Sequence, residues 1–185
     1  LDWISGQLQQ STRAWIVSLT GIGGIGKSEL AIQAAYQALE SGVFERAIWT
    51  SAKESWLTSG GVQYRRSRYF LVNLNDLLDT IVDVLDLDPR LYRVDVERKK
   101  SAISEALGTN PCLLIVDNLE TIVDRDIIHF LEALPQPSKA IVTTRLGLLS
   151  GGAVSQTPAG QKELRIGPLE EDDALDLLVA RAEMY

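Results

Sequence analysis

The chain has 185 residues, of which 45% are hydrophobic and 23% charged, with a formal net charge of −7. That length suits one domain with a sizeable core, and the acidic balance argues against nucleic acid as the main ligand. A single cysteine and a single histidine exclude a disulfide framework and a zinc cluster, and no apolar run is long enough to span a bilayer.

The opening "LDWISGQLQQ" (1–10) lacks a methionine, a basic leader and an apolar signal core. It reads as a helix entered midway, so a longer, multidomain chain in a cytoplasmic setting is the expectation. "AWIVSLT" (14–20) is a short apolar strand, followed by a glycine-rich turn and then "KSELAIQAAYQALESG" (27–42). The apolar residues of that last stretch recur at helical spacing, and Gly42 supplies a stop. "RAIWTSA" (46–52) reads as a second strand. A glycine-containing irregular stretch leads to "QYRRSRYF" (63–70), where Arg65, Arg66 and Arg68 lie between Tyr64 and Tyr69. Such interleaving can bind single strands, but so short a run reads first as a solvated surface loop.

"NLNDLLDTIVDVLDL" (73–87) is a helix opened by an Asn or Asp cap and closed before Pro89, and "VDVERKKSAISEALG" (94–108) is another, ending at Gly108. "PCLLIVDN" (111–118) is a continuous apolar run, the pattern of a strand buried on both faces of a parallel sheet. Cys112 at its edge reads as a buried structural thiol. A helix around "RDIIHFLEAL" (125–134), a strand "KAIVTTR" (139–145), a loop over 147–161, a short strand "ELRIGPL" (163–169) and a helix "EEDDALDLLVARAEMY" (170–185) complete the chain. Strands alternating with helices predict an α/β layer structure with a mostly parallel, five-stranded sheet.

Residues 21–28, "GIGGIGKS", fit the P-loop pattern G-x-x-x-x-G-K-[ST], and they lie between a predicted strand and a predicted helix. A polyphosphate is held by inward-pointing backbone N–H groups, which need conformations and a closeness of approach that side chains would block. Gly21, Gly23, Gly24, Ile25 and Gly26 supply such a loop, and the helix start at Lys27, Ser28 and Glu29 adds unpaired N–H groups and a positive dipole end. The pattern assigns Lys27 to the β- and γ-phosphates and the Ser28 hydroxyl to Mg2+. A magnesium nucleotide also needs an acid, and Asp117 ends a strand at the carboxyl edge of the sheet, the Walker B arrangement. "IVTTR" brings two hydroxyls and Arg145 to the same edge. Such an arginine could meet a γ-phosphate or make a surface salt bridge, and the residues alone do not choose.

The ordered motifs "GIGGIGKSELA", "LLIVDNLE", "IVTTR" and "LRIGPLEEDDALDLL" resemble those of the STAND-class signalling ATPases. Within that class they are similar to the NB-ARC or NACHT-like core of apoptotic protease-activating factors, plant resistance proteins and bacterial regulators. The likeness runs from about residue 14 to 185. It implies a P-loop NTPase three-layer sandwich with the "IVTTR" strand between the Walker A and Walker B strands, and Arg145 as the sensor of the γ-phosphate. It implies ATP and ADP as ligands, exchanged or slowly hydrolysed to move a larger protein between a closed monomer and an open homo-oligomer. Asn118 follows Asp117 where many relatives carry a second acid. An amide cannot take a proton, so Glu120 is the nearby carboxylate left to orient an attacking water. The family's adenine-contacting segment and its helical and winged-helix subdomains are expected outside residues 1–185.

Other classes fit less well. No N-K-x-D base-reading motif supports a GTPase, and an AAA+-type motor usually carries tandem acids where Asp117 and Asn118 stand. A small-molecule kinase would need a basic lid, a part in which "YRRSRY" could be cast. A non-hydrolysing module, latched by bound nucleotide, is the remaining alternative.

Overall fold

The sheet runs in the order β2-β5-β6-β1-β7, all five strands parallel, and is built from β1 (Ile16–Thr20), β2 (Arg46–Ser51), β5 (Cys112–Asp117), β6 (Lys139–Thr144) and β7 (Gln161–Arg165). This computed structural model describes residues 1–52, 55–58, 61–64, 70–122, 124–145 and 160–168. The "IVTT" strand, β6, is inserted between the P-loop strand β1 and the acidic strand β5, in the predicted order. A parallel pair needs a crossover, and α2 (Lys27–Glu40), α3 (Leu74–Val84), α4 (Val96–Thr109) and α5 (Asp126–Glu132) lie in such connections, while α1 (Asp2–Leu8) precedes β1.

The three layers follow from the twofold alternation of strand side chains. Cys112, Leu114 and Val116 of β5, with Ala140 and Val142 of β6, join one core with α3, α4 and α5. Leu113 and Ile115, with Val17, Leu19 and Ile141, join the other with α1 and α2. Each fully buried leucine or isoleucine contributes roughly 1.5–3 kcal/mol, so β5, buried at every position, anchors both cores. The edge strands are more open: β2 alternates between buried and more exposed residues, and β7 buries only Gln161. Helix α2 turns Ala31, Ala34, Ala35 and Ala38 inward, and these small side chains let its axis lie close to the sheet.

Local chemistry sets the helix ends. Asn73 and Asp76 form a reciprocal capping box at the start of α3, worth about 1 kcal/mol. Asp124 ties two helix starts together: one oxygen accepts from the Leu74 N–H at 2.8 Å and the other from the Asp126 N–H at 2.9 Å.

Four expectations are corrected. The stretch after β2 is not wholly irregular, because β3 (Ser55–Thr58) and β4 (Gly61–Tyr64) pair antiparallel as a separate hairpin. The short fifth strand begins two residues early, at Gln161, because β1 dictates its register: Ile16 pairs with Gln161 and Thr20 with Arg165. Gly108 does not end its helix; α4 continues to Thr109, and Asn110 closes it by donating to the Ala106 carbonyl. Two 3-10 turns, Pro89–Arg93 and Leu119–Thr121, were not expected. The arginine run at 65–68 and the predicted helix over 170–185 lie outside the described residues.

Candidate functional site

The carboxyl ends of β1, β5 and β6 open onto a cavity of about 920 Å³. Gly23, Gly24, Gly26, Lys27 and Ser28 line it together with Asp117, Thr143 and Arg145, and Phe70, Leu71, Val72 and Ile122 add apolar lining. The predicted phosphate loop, Asp117 and Arg145 are thus brought together. Glu29 also lines the cavity, while Ile25 is half-buried within the loop.

Two glycines show why the loop tolerates so little else. Gly26 precedes α2 at φ 100, a left-handed conformation that costs an L side chain. At Gly21 a Cβ would lie 2.6 Å from the Ile166 carbonyl oxygen, a backbone atom that cannot swing away. The same juncture is held by the Ile166 N–H donating to the Thr20 carbonyl at 2.7 Å. Helix α2 begins at Lys27, so the N–H groups of its first turn have no intrahelical partner. Lys27 is buried, and its Nζ donates to the Gly21 and Ile22 carbonyls at 2.9 Å each. The one ammonium of the loop is therefore held at the cavity's edge.

Asp117 is 5% exposed and surrounded by hydroxyls. Its Oδ1 accepts from Ser28 Oγ and from Thr143 Oγ1, each at 2.6 Å, and its Oδ2 from Ser51 Oγ at 3.1 Å. Among the described residues no cation pairs with it. Buried charges are normally paired or bind metals, and a hard oxygen donor set beside a phosphate loop suits Mg2+. The residues present therefore fit that ion, and Ser28 and Asp117 would be the ones to hold it. Sequence reasoning missed Ser51 and gave Thr143 no role. The signal was register: Ser51 stands directly opposite Asp117 across the β2–β5 pair.

Arg145 follows β6 and packs on the loop, its Cζ 3.3 Å from where a Cβ on Gly23 would stand. Its Nε lies 3.0 Å from Glu120 Oε1, and its backbone N–H donates to Glu120 Oε2 at 3.2 Å. Asn118 opens the turn that carries Glu120; it sits at φ 65, and its N–H donates to Thr143 Oγ1 at 2.9 Å.

A glycine loop closing onto a helix start, beside an inserted strand and a sheltered strand-end acid, defines a P-loop nucleotide-binding fold. The particular family follows from the sequence: the NB-ARC domain pattern matches residues 1–184, and the chain belongs to that family of P-loop ATPase domains. Over 149 residues it is 29% identical to the transcription activator GutR of Bacillus subtilis (strain 168), covering 74% of this chain and 16% of that protein. Cdc6p from Pyrobaculum aerophilum superposes with a TM-score of 0.72 at 14% identity, over 99% of this chain and 47% of that one. The ORC2 protein of Aeropyrum pernix, solved as ADPNP–ADP complexes, gives 0.64 at 14% identity over 98% and 50%. The ORC1 protein of Aeropyrum pernix in complex with DNA gives 0.55 at 17% identity over 91% and 43%. At these identities the structural likeness is one of fold. The chain spans 16% of its curated relative and half or less of the structural ones.

Proposed function

We propose that this segment is the ATP- and ADP-binding switch domain of a longer signal-transduction protein, whose nucleotide state governs passage from a closed form to a homo-oligomer. The observation that carries the reading is Arg145, held against Gly23 of the phosphate loop from the end of the inserted strand. A guanidinium there would make charge-assisted hydrogen bonds to a γ-phosphate and find no such partner in ADP. Lys27 and the loop N–H groups would hold the β-phosphate common to both nucleotides. Mg2+, held by Ser28 and Asp117, would supply neutralisation of phosphate charge. Further domains of the same chain, helical and winged-helix in character beyond residue 185, would read the difference. GutR is itself a much longer transcription activator, and ORC2 was solved with ADPNP and ADP, which supports a regulatory role and adenine nucleotides.

A latch that binds nucleotide without useful turnover is the second reading. It is favoured by the amide at Asn118 and by Glu120, whose two oxygens both face Arg145. Calorimetry and light scattering on the full-length protein test the switch. Arg145→Ala is expected to weaken a non-hydrolysable ATP analogue about ten- to a hundredfold, from a charged hydrogen bond of roughly 1.5–3 kcal/mol. ADP affinity should hold, and the analogue should no longer drive oligomer formation. Equal losses for both nucleotides would remove the sensor role, and steady-state turnover of the parent separates switch from latch.

A further inference from the structure

Glu120 is the acid that a hydrolytic reading would choose as base, and its geometry suits a different task. Asn118 takes the left-handed conformation that asparagine adopts more readily than most residues, so the chain leaves β5 in a tight 3-10 turn. That turn folds Glu120 back toward the end of β6, where its side chain is 10% exposed. Both carboxylate oxygens are then directed at one residue. Oε2 accepts the backbone N–H of Arg145 at 3.2 Å, and Oε1 lies 3.0 Å from its Nε. The Nε contact is ionic and not aligned as a hydrogen bond, and among the described residues Oε1 is otherwise buried without a partner.

The Arg145 guanidinium consequently has two sides with different surroundings. Its Nε meets Glu120, while Cζ, Nε and Nη2 lie 3.3, 3.5 and 3.5 Å from the Cβ position of Gly23, so one side of the group rests on the loop. A Cβ at Gly23 would require the guanidinium to shift by a few tenths of an ångström. An arginine side chain has several rotatable bonds and loses much entropy when fixed, so an anchor at Nε matters to where the fork points.

We propose that Glu120 is a positioning residue: it fixes Arg145 by the Nε edge and backbone, leaving the Nη edge to distinguish a triphosphate from a diphosphate. Glu120 thereby governs nucleotide specificity without touching the nucleotide. The inference rests on the sensor reading of Arg145 given above.

The test compares ADP with a non-hydrolysable ATP analogue by calorimetry, using full-length protein and the variants Glu120→Ala, Glu120→Gln, Arg145→Ala and the double Glu120→Ala/Arg145→Ala. Glu120→Ala should reduce the preference for the analogue by ~10-fold, within the range set by losing one well-placed charged contact. Glu120→Gln keeps an acceptor facing Nε and should recover part of that loss. The double variant should be no worse than Arg145→Ala alone, and ADP affinity should stay within about twofold of the parent throughout. A full preference in both Glu120 variants, with only turnover reduced, would make Glu120 a base and overturn the positioning role. A full preference in Arg145→Ala would overturn the sensor reading and this inference together.

Discussion

Ser28 Oγ and Asp117 Oδ1 meet at 2.6 Å, although 89 positions separate the two residues in the chain. One belongs to the first turn of α2 and the other to the last position of β5, so the sheet order itself creates the pairing. Asp117→Asn should therefore weaken the response of ATP-analogue binding to Mg2+ more than it weakens binding in chelator. The amide keeps a carbonyl acceptor for the surrounding hydroxyls but loses the charge that a divalent cation requires. Calorimetric titrations with and without Mg2+ measure both terms, and an unaltered magnesium response would leave Asp117 as a strand-end hydroxyl acceptor only.

Lys27→Ala should lower affinity for ADP and for the ATP analogue alike, by about ten- to a hundredfold for one lost charge-assisted contact. The ammonium lies over the loop through the Gly21 and Ile22 carbonyls and lines the cavity, whichever nucleotide is present. The uniform loss contrasts with the selective one expected at Arg145. Parent-like binding of ADP by this variant, with a thermal melt showing it folded, would disprove the assignment of the loop.

Lys139 gives the fold a pH dependence unrelated to nucleotide. Its Nζ donates to the Gln7 and Gln9 carbonyls at 3.0 and 2.6 Å and to Thr12 Oγ1 at 2.7 Å, gathering the end of α1 and the chain that follows it. Burial lowers its ammonium from the ordinary 10.5 to about 8. Between those values the unfolded chain binds a proton that the folded protein lacks, so stability should rise with pH across that window. Below about pH 8 the charge is carried in both states and the contribution is flat. Lys139→Met should remove the rise, read as the difference between the two melting curves at several pH values from 7.5 to 10. Cys112, whose thiol burial pushes up to about 11, acts in the opposite sense, but it is common to both proteins and cancels. Parallel curves would show that Lys139 does not titrate in this range.

Much of this site was legible because its chemistry is local in sequence. The phosphate loop needs glycines, a lysine and a serine at fixed spacing between a strand and a helix, and residues 21–28 carry all of it. The unbroken apolar run of β5 likewise announced a strand covered on both faces, with Asp117 at its open end. Solvation and backbone sterics act within a few residues, so such features can be read without knowing the fold.

Ser51 and Glu120 were a different matter. Ser51 reaches Asp117 only because β2 lies beside β5 in one register, and a shift of one residue would turn its hydroxyl to the opposite face. Glu120 meets Arg145 because Asn118 adopts a left-handed turn and β6 is the strand next to β5. The strand beginning at Gln161 took its start from pairing with Ile16, not from its own apolar content. The chain's residues thus determined that a phosphate-binding loop and a strand-end acid exist. The packing of non-adjacent strands decided which side chains surround them, since hydrogen-bond register and burial are properties of the sheet as a whole.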